Sequence, residues 1–177
     1  DAIERLSNEE KVVVATVVRT KGSTPQKPGA KLIVREDGSG AGTLGGGCVE
    51  GDIWFAAKQL MQDGGSTEYR EYELNEDLAA DDGLVCGGTM YFLIDPVYSP
   101  DAYLPYASEI DKAYSGEGAV ALATVVKSGS DGNSRIGDKL FVRENGEFEG
   151  SIGNEKEDED AKNKAFEIMI HGRNDEE

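Results

Sequence analysis

An α+β fold is predicted here, made of two β-rich repeats with mixed sheets and a helix packed on each, and three features of the sequence predict it. A β-branched apolar run, Val12 to Val18, reads as a strand buried on both faces. A dense glycine stretch, Gly40 to Glu50, runs into a helical period. The opening pattern then returns 108 residues later, without a gap.

Taken in order, residues 1–10 read as a short polar helix and Val12 to Val18 as a mid-sheet strand. Arg19 to Gly29, with two prolines and two glycines, can be neither helix nor central strand and is a loop. Lys31 to Arg35 and Thr43 to Leu44 read as strands joined across Asp37-Gly38, a dipeptide suited to the positive φ angles of a tight hairpin. Val49, Ile53, Ala56, Ala57, Leu60 and Met61 fall at helical spacing, and Gly64 stops that helix. Tyr69 to Leu74 reads as an edge strand, Thr89 to Ile94 as a buried one, and an acidic loop ending in GLVCGG lies between them. Ser99 and Pro100 are a cap and first-turn pair for a connecting helix with Tyr103, Ala107, Ile110 and Tyr114 on one face, closed by Gly116.

The second copy sets Ala15-Thr16-Val17-Val18 on Ala123-Thr124-Val125-Val126 and Val34-Arg35-Glu36 on Val142-Arg143-Glu144. Roughly a third of the pairs are identical, against about one in fifteen from composition alone. The expected layout is a first repeat at 1–98 that carries a site, a connecting helix at 99–117, and a degenerate second repeat at 118–177. The copies share scaffold positions and differ in chemistry. Gly46, Gly47 and Cys48 correspond to Asn154, Glu155 and Lys156, and GSTPQKPG becomes SDGNSRIG.

That contrast points to Cys48. Clustered glycines expose main-chain N–H groups to a ligand, and the start of a helix favours an anion, the setting in which a thiol is activated. A small buried cysteine behind a tight turn is the other reading of Cys48. Charge agrees with the first, because Val12 to Arg35 holds Arg19, Lys21, Lys27, Lys31 and Arg35 with no acidic residue. A cationic loop beside a glycine nest suits a phosphate-bearing small molecule.

Elsewhere the chain is acidic: 35 aspartates and glutamates against 18 lysines and arginines give a formal net charge of −17 over 177 residues. Such a balance argues against nucleic acid or an anionic membrane as partner. No run approaches the roughly 18 apolar residues of a membrane span, and the N-terminus has no signal-peptide form, so a cytoplasmic protein is expected. Two cysteines, Cys48 and Cys86, are too few for a disulfide framework, and with one histidine they spell no structural zinc site. Gly40, Gly42 and Gly45 match G-x-G-x-x-G, but a hairpin turn precedes them where the dinucleotide fingerprint needs a strand. A protease-type thiol would need a base, and the only histidine, His171, falls near the chain end, where it reads as an exposed residue at a helix C-terminus.

Three segments, ATVVRTKGSTPQKPGAKLIVREDG, GTLGGGCVEGDI and GLVCGG, in that order, resemble the XdhC/CoxI family of maturation factors for molybdenum hydroxylases. The resemblance implies a protein that binds the molybdenum cofactor (molybdopterin) while its sulfido ligand is installed with a cysteine desulfurase. It then hands the cofactor to an apo-enzyme of the xanthine dehydrogenase type. Carried over residue by residue, Cys48 is the thiol at the cofactor, and through it a ligand for molybdenum. Gly45, Gly46, Gly47 and Glu50 complete its motif. Gly22, Ser23, Pro25 and Lys27, with Lys21, form the facing loop, and Cys86, Gly87 and Gly88 are a second candidate segment. Family members continue into a Rossmann-like domain, which would here be a separate domain or subunit. Exposed sheet edges favour a homodimer. A carrier is expected rather than a catalyst; the alternative is a thiol-based redox or nucleophilic enzyme using Cys48 with Cys86.

Overall fold

The computed structural model describes residues 11–74, 87–99, 104–129 and 132–174. The readings of residues 1–10, of the acidic loop as far as Cys86 and of Pro100 and Tyr103 lie outside them. Two compact units divide the chain, Asp1–Ala102 and Tyr103–Glu177.

In the first unit β1 (Val12–Lys21), β2 (Lys31–Arg35), β3 (Gly40–Gly42), β4 (Glu68–Glu73) and β5 (Thr89–Val97) form one sheet in the order β3-β2-β1-β5-β4. Helix α1 (Gly47–Asp63) packs on it. The β-branched run is the middle strand, as expected, and the charged β4 lies at an edge. Every pairing among the described strands is antiparallel. The α+β class therefore stands while the sheets are not mixed. The loop 22–30 and the turn 36–39 are too short for the crossover of roughly a dozen residues that a parallel pair needs.

Period-two alternation fixes the core. Val13, Ala15 and Val17 share a face with Leu32, Val34, Met90, Phe92 and Ile94, closed by Val49, Ile53, Ala56, Ala57 and Leu60 of α1. Each Val, Leu, Ile, Met or Phe among them contributes about 1.5–3 kcal/mol on burial, and each alanine less. Gly64 ends α1 in the left-handed conformation, φ 65°, and its N–H bonds Leu60 O. Where Thr43 to Leu44 was expected as a strand, the third strand is Gly40–Gly42: a Cβ on Gly42 would collide with Lys31 O, so only glycine brings the chain this close to β2.

The β1–β5 register steps from Val17 opposite Phe92 to Arg19 opposite Tyr91, leaving Val18 as a bulge. One extra residue reverses the face that each later residue takes. Thr20, opposite buried Met90, therefore takes the core side, and Arg19 and Lys21 are exposed. The Arg19 guanidinium lies 5.4 Å from the centre of the Tyr91 ring.

The second unit contains α2 (Leu104–Tyr114), β6 (Val120–Thr124), β7 (Lys139–Arg143), β8 (Phe148–Gly150) and α3 (Glu155–Asn174), with sheet order β6-β7-β8. Leu140, Val142 and Ala165 form its core with Ala121, Ala123 and Phe166. From α2, Tyr106 stacks on Phe141 at 4.4 Å between ring centres, whereas Tyr114 is 84% exposed.

Hydrogen bonds of the first unit recur in the second at a spacing of 108. Val17 N–H donates to Ala30 O and Val125 N–H to Asp138 O, both at 2.9 Å; Gly29 N–H to Val17 O and Gly137 N–H to Val125 O, both at 2.8 Å. The hairpin turns match as well, with Ser39 N–H donating to Asp37 Oδ1 and Glu147 N–H to Asn145 Oδ1.

Candidate functional site at the start of helix α1

Segments far apart in the chain meet at this end of the first sheet. Gly88 is buried, and a Cβ there would lie 2.7 Å from Lys21 O and collide with Ser23 O. A Cβ on Gly22 would stand 3.2 Å from both Gly87 O and Gly88 Cα. On its other side the loop meets the glycine stretch, where a Cβ on Gly45 would lie 2.5 Å from Pro25 Cβ. The loop is thus clasped between Gly45 and Gly87-Gly88, and Lys21, Ser23 and Lys27 remain exposed. Cys86, the residue before this clasp, lies outside the described residues.

Gly45, Gly46 and Gly47 have φ of 110°, 74° and 66°, and α1 begins at Gly47 with no side chain capping it. The N–H groups of a first turn have no partner within their helix, so this end carries a partial positive charge. Beside Gly46 and Gly47 the space is open, with nothing within 4 Å of an added Cβ. Cys48, in the first turn, is a free and exposed thiol. That position excludes the reading of a small buried cysteine.

Glu50 lies in the same first turn, and its Oε2 accepts three bonds: from Thr43 Oγ1 at 2.8 Å, Leu44 N–H at 3.0 Å and Gly46 N–H at 3.1 Å. Thr43 Oγ1 also accepts from Gly45 N–H. The bond from Leu44, then that from Thr43 and then that from Gly46, holds the Glu50 carboxyl below the usual carboxylate range. This oxygen is engaged with the chain itself.

The second unit builds the same clamp and then closes the helix. Asp158 accepts Ser151 Oγ–H and Ile152 N–H, both at 2.8 Å, and Gly153 N–H bonds Ser151 Oγ. Here, however, Asn154 Oδ1 accepts the N–H groups of Lys156 and Glu157, while Glu157 Oε2 accepts Asn154 N–H at 2.9 Å. That is a reciprocal capping box, and it occupies the helix start that the first unit leaves open.

Sequence reasoning did not single out Thr43, although Thr43/Glu50 and Ser151/Asp158 stand at the same spacing in both copies. It also passed over Tyr72 of β4, whose hydroxyl bonds Asp52 in the second turn of α1. Burial first, then Asp52, raises the Tyr72 phenol above its ordinary value. Among the described residues no group of three or more His, Cys, Asp or Glu side chains could hold a metal ion. No described helix is long and apolar enough to cross a membrane. The second unit has a hollow of about 330 Å³ lined by Glu109, Lys112, Glu117 and Glu144, and no predicted site residue lines it.

The model of the XdhC and CoxI family matches residues 5–73 and 114–176. A probable xanthine dehydrogenase subunit of Bacillus subtilis (strain 168) is 29% identical over 145 residues, which is 81% of this chain and 41% of that protein. The molybdenum cofactor insertion chaperone PaoD of Escherichia coli (strain K12) is 31% identical over 111 residues, 63% of this chain and 34% of the chaperone. Among solved structures, a xanthine dehydrogenase from Bacillus halodurans superposes with a TM-score of 0.61 at 26% identity, over 86% of this chain and 45% of that one. The chain therefore spans less than half the length of these relatives.

Proposed function

The chain belongs to the XdhC and CoxI family, and from that premise we propose that it is a molybdenum cofactor-binding accessory protein rather than a catalyst. It holds the cofactor for sulfuration with a cysteine desulfurase and for insertion into a molybdenum hydroxylase of the xanthine dehydrogenase type. The observation that carries this reading is the uncapped start of α1 with its exposed thiol, set against the capped start of α3 in an otherwise matching frame. We infer that both units descend from one duplicated ancestor and that only the first kept a site.

The residues present fit such a group. Main-chain N–H groups at Gly47 and Cys48 in the uncapped first turn, with Lys21 at the end of β1 and Lys27 on the clasped loop, suit the phosphate of a pterin cofactor. Cys48 offers one soft thiolate, which suits transient holding of molybdenum better than permanent coordination. When bound, the cofactor itself would supply the metal and the dithiolene; the protein would supply a charged cradle and a thiol. Ser23, Pro25, Gly22, Gly87 and Gly88 shape the loop that faces it, and Cys86 belongs to the same segment. A homodimer, a partner that carries the Rossmann-like domain, and a cytoplasmic setting complete the proposal.

Anaerobic incubation with molybdopterin cofactor, followed by gel filtration and metal analysis, tests it. Cys48→Ala is expected to lose most of the retained molybdenum while changing unfolding free energy by no more than about 0.5 kcal/mol, because the side chain is exposed. Equal retention by the variant would retire the reading. The redox alternative makes a different demand, a disulfide between Cys48 and Cys86 in the mass spectrum of the oxidised protein.

A further inference from the structure

We propose that Glu50 is a positioning residue: its third hydrogen bond, from Gly46 N–H, holds the uncapped glycine cradle in the shape that receives the cofactor. This rests on the carrier reading above and assigns Glu50 a role through the backbone rather than through contact with the ligand.

The two units separate the parts of the clamp. Both fold the approach to the helix with a hydroxyl and a main-chain N–H on one carboxylate, Thr43 and Leu44 on Glu50, Ser151 and Ile152 on Asp158. Those bonds belong to the shared scaffold. Two residues on, the N–H is treated differently: in the second unit Asn154 N–H goes to Glu157, a cap residue, whereas in the first unit Gly46 N–H goes to Glu50 itself. Position 157 corresponds to Val49, which is buried in the core and cannot serve. A carboxylate with one more methylene than Asp158 spans the extra distance. Glu50 thus restrains a glycine that has no side chain and open space beside it, without covering the N–H groups of Gly47 and Cys48. An unrestrained glycine there would lose more conformational freedom on binding, and ordering it in advance favours the complex.

Glu50→Asp tests this, since it copies the scaffold clamp of the second unit and withdraws the reach to Gly46. Amide hydrogen exchange by NMR should show Leu44 unchanged and Gly46 faster by roughly tenfold. Molybdenum retention should fall about tenfold with unaltered far-UV circular dichroism. Unchanged exchange at Gly46 overturns the proposal, even if retention falls, because Glu50 would then act as a direct ligand. Faster exchange with full retention overturns it too. Should the wild-type chain retain no cofactor, the carrier reading fails separately, and Gly46 exchange still decides the positioning role. Glu50→Gln, of native reach, is the second variant: it should accelerate Gly46 exchange less than Glu50→Asp, and the reverse order counts against the proposal.

Discussion

Glu50 and Asp158, 108 residues apart, each accept the main-chain N–H of the residue six positions earlier, Leu44 at 3.0 Å and Ile152 at 2.8 Å. A carboxylate one turn into a helix ties down the strand exit that leads to it, and both units use this device. What differs is the residue between clamp and helix, Gly46 in one and Asn154 in the other. Three expectations follow from the matched pair and its surroundings.

Gly46 has φ 74° and ψ −171°, a region open only to glycine. Gly46→Ala meets no neighbour, so its whole cost is backbone strain, about 1–3 kcal/mol. At the matching position Asn154→Ala removes a cap and costs about 1 kcal/mol, but Asn154→Gly only a few tenths. Urea unfolding of the three variants should reproduce that order, with glycine obligatory at one site and tolerated at the other.

Gly88→Ala acts by collision instead. The added methyl would press on the carbonyl oxygens of Ser23 and Lys21, and backbone cannot swing away as a side-chain tip can. A loss of about 1–3 kcal/mol in thermal or denaturant unfolding is expected. Cofactor retention should fall as well, because the displaced segment carries Lys21 at the end of β1 and Lys27 in the loop.

In the second unit Arg143 Nε and Nη2 donate to Glu109 Oε2 and Oε1 at 2.6 and 2.8 Å, and Arg143 also pairs with Glu149. The bond from Arg143 holds the Glu109 carboxyl below its ordinary value. A depressed folded pKa means stability that is complete above the unfolded value, about 4.3, and is lost as pH falls through the folded one. Denaturation midpoints should therefore decline below about pH 4.5, and Arg143→Met should flatten part of that decline. At neutral pH the same variant costs about 1 kcal/mol, modest because the carboxylate is partly exposed.

Most strands, the turns and the α1 boundaries were readable because each rests on a local rule: β-branched runs, Asp37-Gly38 and Asn145-Gly146, helical spacing, and Gly64 at the end; Arg19 to Lys21, expected as loop, instead continue the central strand β1 past its bulge. Gly40–Gly42 was not, since glycine counts against a strand unless the close approach to Lys31 is already known. The antiparallel order of the sheet depended on pairings between distant segments, which no single stretch encodes. At the site the segments themselves were legible, and comparing the copies pointed to Cys48. The clamp escaped because a carboxylate beside a cysteine looks like a ligand, and nothing local says that its oxygen faces Leu44 and Gly46. Asn154 and Glu157 could have been found by the N-x-x-E spacing of a capping box.

The bulge at Val18 has a further consequence for how this surface could be rebuilt. Phase along β1 changes at one residue, so drawing Val18 into a regular ladder would turn Arg19 and Lys21 toward the apolar interior and Thr20 away from it, without altering a single charge, whereas deleting Val18 would leave all three on their present faces. Two cations that now greet solvent would become unwelcome guests of Met90 and its neighbours. The place where the ladder skips a residue is therefore as much a determinant of this protein's electrostatic face as the identity of its lysines.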